Sequence, residues 1–315
     1  MSDTRMQFTG GPFGTVAADQ ASLVPPHLSG KVFYVNANAG GADDVETPWP
    51  DVDGVVCFDT LQGAIDATVG GRGDTIYVKR GGEAVTSTVL FNKSGIRVIT
   101  QRQGMSPQFR GEYSSIYSTT ITDGPVAQIL DPCYIEGLGF YGADATTSFY
   151  GGAALLIGGE ATAEPYGVHL FQCRFGKWGL DNSKGIAIEG SSDCLIEECY
   201  FEGVGADFTN GIYVQGACAN LEVRNCRFRD CDYAIAHGAF AGGGPHCIYT
   251  GNIVCGADSI FLDTNSNAAV GIICGNFFNA DQAAGYAMDI SVADTETLGL
   301  ACAGNFYGTE ETGAT

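Results

Sequence analysis

A chain of 315 residues with 36 acidic and 15 basic side chains has a formal charge of −21, which excludes nucleic acid and anionic membrane surfaces as electrostatic partners. No stretch approaches the ~18–20 consecutive apolar residues of a membrane span. Hydrophobic content of 45% can fill a core, and 46 glycines against 10 prolines suit short strands joined by tight turns.

Residues 1–30 are polar, contain Gly and Pro, and show no repeat. They form an extended N-terminal arm, with Phe8 and Phe13 as its candidate contacts on a neighbouring subunit. Residues 31–315 form one elongated domain. Lys31 to Asn36 is the first strand, and the acidic segment 41–54 is a solvated loop without EF-hand spacing. Asp59 or Thr60 caps a helix reaching about Thr68, with Leu61, Ala64 and Ile65 on one face. Less regular strands follow over 75–130, interrupted by a loop at 102–114, and YIEGLGFYG (134–142) opens a regular pattern. The surplus before the next unit reads as an insertion (143–167), with Tyr150 and Tyr166 among small residues.

From there one segment recurs: VHLFQCRF (168–175), CLIEECYF (194–201), LEVRNCRF (221–228), CIYTGNIV (247–254), IICGNFF (272–278) and LACAGNFY (300–307). A small polar column runs Cys173, Cys199, Cys226, Asn252, Asn276, Asn305. A large apolar one runs Phe175, Phe201, Phe228, Val254, Phe278, Tyr307, with gaps of 26, 27, 26, 24 and 29 residues. Between these segments Ile186, Ile212, Ile235, Ile260 and Met288 keep the same period. Two columns with one period require at least two strands per turn of a solenoid, each stacked in parallel on its counterpart about 4.8 Å away.

The opening of the domain, FYVNANAGG (33–41), FDTLQGAIDATVGGRGDTIYV (58–78) and LFNKSGIRVIT (90–100), resembles the pectin-lyase-like superfamily. Over residues 31–308 the resemblance implies an all-β, single-stranded right-handed parallel β-helix with a short N-terminal capping helix. Activity does not follow, because this fold hosts lyases, hydrolases, epimerases, viral spikes and inert structural proteins.

The 12 cysteines show no zinc-site spacing, and Cys173, Cys199 and Cys226 sit at equivalent inward positions as reduced space-fillers. MSDTRMQFTGGPFGTV lacks the apolar run of a leader. These features point to folding in a reducing cytoplasm.

Lyases of the resembled family need acids holding calcium beside an Arg or Lys, yet no Lys or Arg follows Arg229. Earlier cations are Arg174, Lys177, Lys184, Arg224, Arg227 and Arg229, with Arg224 in column with Glu197. LDTNSN (262–267), Asp230/Asp232 and AHGAF (236–240) only superficially match the hydrolase motifs. Glu189 and Asp263 read as one column three rungs apart, about 14 Å, too far for paired carboxylates. His237, aligned with Ile188, Val214 and Leu262, reads as a buried, hydrogen-bonded histidine. No catalytic residue, metal ligand or cofactor is assigned.

One outward column, Arg174, Tyr200, Arg227, Ile253, Phe277, Phe306, passes from charged to apolar along the chain. Ile253, Phe277 and Phe306 therefore mark a lateral contact surface. The expectation is a virion structural protein of a tailed phage: a β-helical decoration (cement) or spike protein, assembled in the host cytoplasm. Its partners would be further copies of itself, a trimer favoured, and capsid or tail proteins. The alternatives are a polysaccharide lyase or glycoside hydrolase, and a non-catalytic rod that binds surface glycan through Tyr150, Tyr166 or Tyr213.

Overall fold

The computed structural model describes residues 30–36, 57–79, 81–100, 114–118, 120–121, 124–142, 153–159, 165–177, 184–203, 208–215, 218–238, 246–256, 260–264, 270–280, 288–289 and 299–308. The N-terminal arm with Phe8 and Phe13, the whole acidic segment 41–54, the loop 102–114 up to residue 113, and Tyr150 lie outside them. The described strands fall into three sheets of 11, 9 and 8 strands, and their pairings are parallel. The chain visits each sheet once per rung. One rung, for example, takes Ser191–Glu197 in the first sheet, Tyr200–Glu202 in the second and Phe208–Val214 in the third.

The repeated segment is therefore two strands rather than one. A residue with positive φ breaks it at the same place in each rung: Gly137, Gln172, Glu198, Asn225, Gly251, Gly275 and Gly304, with φ between 51° and 75°. A single left-handed residue turns the chain from the first sheet into the second, and glycine, asparagine and other polar residues tolerate that conformation best.

The next residue forms the corner: Leu138, then the Cys and Asn column. Backbone bonding explains that column. The positive-φ residue donates its N–H forward to the following rung (Glu198 to Arg224 O, Asn225 to Thr250 O), and the residue after the corner donates back (Arg227 to Cys199 O, Ile253 to Cys226 O). The corner N–H between them is met by the next corner side chain. Cys226 N donates to Asn252 Oδ1 at 2.9 Å, Asn252 N to Asn276 Oδ1 at 2.9 Å, and Asn276 N to Asn305 Oδ1 at 3.1 Å. Each amide also donates backward, Asn252 to Val223 O, Asn276 to Tyr249 O and Asn305 to Ile273 O. The thiols fill the same role. Cys173, Cys199 and Cys226 donate to Ile135 O, Leu170 O and Ile196 O at 3.5–3.6 Å. The sulfurs of Cys173 and Cys199 in turn receive backbone bonds from Leu138 and Cys173. Burial pushes both thiols far above their usual range, so the proton each donates stays in place.

Inside, the second-sheet column stacks Phe140, Phe175, Phe201 and Phe228 at centroid separations of 5.3, 4.8 and 4.6 Å with nearly parallel rings. It continues as Val254 and Phe278, and the strand register carries the column on to position 307. The described cysteines are free thiols.

The expected cap is the helix α1, Leu61–Ala67, with Thr60 as its N-cap and Leu61, Ala64 and Ile65 buried. It closes the first rung on two sides. Leu61 N donates to the buried carboxylate of Glu83 on the first second-sheet strand, and Gln62 Oε1 accepts from Leu90 N on the first third-sheet strand. Asp74, fully buried, accepts from Lys31 N, Val69 N and the Arg72 guanidinium, tying the opening strand to the helix exit.

Four expectations are corrected. Leu262, not Ile260, pairs with Ile235; Ile260 pairs with Tyr233, 27 residues earlier. This longer rung moves the register by two residues. His237 consequently aligns with Ile188, Val214 and Thr264 rather than Leu262, and Asp263 follows Ala187, Tyr213 and Ala236 rather than Glu189. Finally, the stretch 143–167 is not all insertion, since Ala153–Gly158 is a third-sheet strand buried on both faces.

Candidate contact surface

Alternation places every second residue of each strand on the outer face, and the register carries those residues into columns. On the first sheet one column runs Arg97, Tyr134, His169, Leu195, Glu222, Ile248, Ile272, Ala301. Its neighbour runs Glu136, Phe171, Glu197, Arg224, Thr250, Cys274, Ala303. The second sheet carries the column foreseen from the sequence: Arg174, Tyr200, Arg227, Ile253, Phe277, Phe306.

Before residue 230 these faces are ionic. Arg224 pairs with Glu197 at 3.0 Å and with Glu222 at 3.1 Å, and His169 lies 3.3 Å from Glu197. The hydrogen bond from Arg224 holds the Glu197 carboxyl below the usual range despite partial burial. Arg97 lies over the Tyr134 ring, and Tyr134 donates to Glu136. On the second sheet Arg174 pairs with Glu202 and lies over Tyr200, while Arg229 bonds the Tyr200 hydroxyl and sits 3.3 Å from Asp230. Arg174 is outward by register yet buried, because Glu202 and Tyr200 cover it.

From His246 onward the same columns turn apolar together. Ile248, Val270, Ile272, Phe277 and Phe306 are exposed, Ile272 by 47% and Phe306 by 64%, and Ile253 is half-buried beside them. The turn residue between the sheets changes too, from Gln172, Glu198 and Asn225 to Gly251, Gly275 and Gly304, so that the position just before the corner carries no side chain. The result is one apolar surface around the corner of the last three rungs. The sequence showed its second-sheet half; Ile248, Val270 and Ile272 were not singled out, because only the register assigns them to an outer face.

The other candidates are not brought together. Tyr166 is 64% exposed and bridges Ser192 where the first sheet begins, whereas Tyr213 lies on the third sheet, stacked under Lys184 at 5.4 Å. His237 is buried as expected. Its Nε2 lies 2.7 Å from the Tyr249 hydroxyl, and burial lowers its pKa from 6.5 to about 4. Among the described residues no group of three or more His, Cys, Asp and Glu is placed to hold a metal ion.

The model of the right-handed β-helix region matches residues 153–297. No curated protein sequence matches the chain. Among solved structures, pectin methylesterase from Aspergillus niger in deglycosylated form is similar with a TM-score of 0.53 at 12% identity, over 92% of this chain and 88% of that one. Pectin methylesterase from carrot is similar with a TM-score of 0.52 at 11% identity, over 83% and 84% of the two chains. The fold is a pectin-lyase-like right-handed parallel β-helix. Geobacillus virus E2 ORF18 aligns with a TM-score of 0.43 at 18% identity over 80% of this chain and 58% of that one, so the chain spans less than two thirds of the viral protein's length.

Proposed function

We propose that this β-helix is a structural protein of a tailed-phage virion, a decoration or spike rod held in its assembly by the apolar surface of its last three rungs. The observation that supports this most is the simultaneous change of both outer faces from ion pairs to exposed Ile248, Ile272, Phe277 and Phe306. An apolar surface of this kind on an otherwise acidic rod marks a contact kept covered by a neighbour. The partners in this reading are further copies, as a trimer, and the capsid or tail proteins beside them, with the N-terminal arm (Phe8, Phe13) as a second attachment. Mass spectrometry of purified particles should recover the chain in tens of copies per particle. Particles assembled with Phe277→Asp should lose it. A chain absent from particles, or retained equally by the variant, overturns the proposal.

A second reading, an enzyme acting on pectin-like polysaccharide, draws on the overlap with two pectin methylesterases and on the polar outer face around Tyr134, His169, Glu197 and Arg224. Incubation with pectin and polygalacturonate, followed for new reducing ends, unsaturated uronates and released methanol, separates the two. Turnover abolished by Glu197→Gln would establish the enzyme instead.

A further inference from the structure

We infer that the second sheet, ahead of its apolar rungs, binds a glycan of mainly neutral sugars that carries an isolated acidic group. Tyr117 and Tyr141 receive the sugar rings, and Arg227 with Arg229 receives the acid. This face is separate from the distal apolar surface and from the Glu197 face of the first sheet, so it holds under either reading of the function.

The register sets Tyr117, Tyr141 and Gly176 in one outward column and Gly82 and Gly139 in the column beside it. Glycine inside a strand weakens it and marks a close approach by another group. Here that group is a tyrosine ring. A Cβ added at Gly139 would stand 3.1 Å from Tyr141 Cε2, and one at Gly176 would stand 2.7 Å from Cε1 and 2.9 Å from Cδ1. The Tyr141 ring thus fills the layer in which its neighbours' Cβ atoms would sit, so it lies down along the sheet with a face turned outward. Gly82 makes the same room for Tyr117, whose Cε1 would be 3.0 Å from an added Cβ. Both rings are half-buried. A pyranose presents a layer of C–H bonds on one side, and the negative face of an aromatic ring suits that layer.

The next rungs of the same face carry the charge. Glu202 answers Arg174, and Arg229 bonds the Tyr200 hydroxyl and lies 3.3 Å from Asp230. Arg227 is exposed and makes no ion pair among the described residues. It stands two residues from Arg229 on one outer face, about 7 Å away, and a guanidinium fork matches the two oxygens of a carboxylate. From Tyr141 to Arg227 is three rungs, about 14 Å, the reach of a short oligosaccharide. The rest of the chain limits the ligand further. A polyanion would meet the field of a protein of net charge −21 along its whole length, whereas one acid among neutral sugars meets only the two arginines. The same field weighs against a single-stranded nucleic acid, which also stacks on aromatic rings.

The test presents the full chain, fluorescently labelled, to three immobilised classes: neutral oligosaccharides, oligosaccharides ending in one uronic or sialic acid, and polyuronates. The single-acid class should be retained about 10-fold more strongly than the neutral class, with polyuronates below the single-acid class at low salt. Arg227→Ala should remove the preference for the acid and leave neutral binding as it was. Tyr141→Ala should lower both classes, while Tyr141→Phe, which keeps the ring, should bind as the parent does. Arg227 is exposed, so its variant still decides the matter where Tyr141→Ala fails to fold. Equal retention of neutral and single-acid classes, strongest retention of polyuronates, or retention of no class overturns the inference. So does an acid preference that survives Arg227→Ala.

Discussion

The two ends of this β-helix solve the same problem differently. At the N-terminal end α1 lies across the first rung, Glu83 and Gln62 bind it to two sheets, and Leu61, Ala64 and Ile65 are fully buried. At the other end Cys302, in the inward column of Leu170, Ile196, Val223, Tyr249 and Ile273, is exposed, as are Ala301 and Ala303. A parallel coil must cover both its unpaired edges and its core. The first end does so with its own helix, whereas the last described rungs leave Cys302 and the outward Ile272, Phe277 and Phe306 exposed.

The largest expected effect is at the self-completed end. Asp74→Ala would orphan two backbone N–H groups and break the ion pair with Arg72, costing about 3–5 kcal/mol in chemical denaturation. Burial works against the Asp74 charge, but the bonds from Arg72, Val69 and Lys31 outweigh it and hold the carboxyl below its usual range. Its contribution is present above the unfolded carboxylate range and is lost as pH falls through the folded value.

Of comparable size, Phe201→Ala removes a ring stacked between Phe175 and Phe228 and should cost about 3–5 kcal/mol. Phe277→Ser, on the outward column of the distal end, should leave monomer stability within about 1 kcal/mol. Equal losses would mean that Phe277 is packed within its own chain.

His237 supplies a pH test between these magnitudes. Its folded pKa of about 4 lies below the ordinary 6.5, so the unfolded chain takes the proton first. Stability is full above about pH 6.5 and falls as pH drops, by about 3 kcal/mol at pH 4. Denaturation midpoints at pH 7 and 4.5 measure this, and His237→Gln should flatten that part of the pH profile.

At the corner, Asn252→Ala leaves Cys226 N without its acceptor and should cost about 1–3 kcal/mol. Asn252→Cys, restoring the group used one rung earlier, should cost less. Smallest of all, Arg224→Ala breaks partly exposed pairs and should cost under about 1 kcal/mol.

The fold was legible because rungs repeat in place. Phe140, Phe175, Phe201 and Phe228 stack on one another, so their identity shows in sequence as a period. The third sheet was harder to read. Ala153–Gly158 is buried on both faces, which removes the alternation that marks a strand. Gly81–Ala84 was hidden because its inward residue, Glu83, is charged and serves the helix. At the contact surface, Phe277 and Phe306 stood out as apolar residues in a column begun by Arg174. Ile248 and Ile272 did not, since only the register places them beside Glu222 on an outer face. Loop length displaced Ile260 and Asp263, because two extra residues between strands leave no mark on the strands themselves.

The corner ladder also gives the coil a direction of growth. Each corner side chain donates to the carbonyl of the turn before it and accepts that turn's spare N–H. A turn is thus sealed only when its successor is laid down, and the newest always shows one unanswered donor. A chain emerging from the ribosome in the same order can zip up as it is made, with its unfinished tip always at the end still being synthesised.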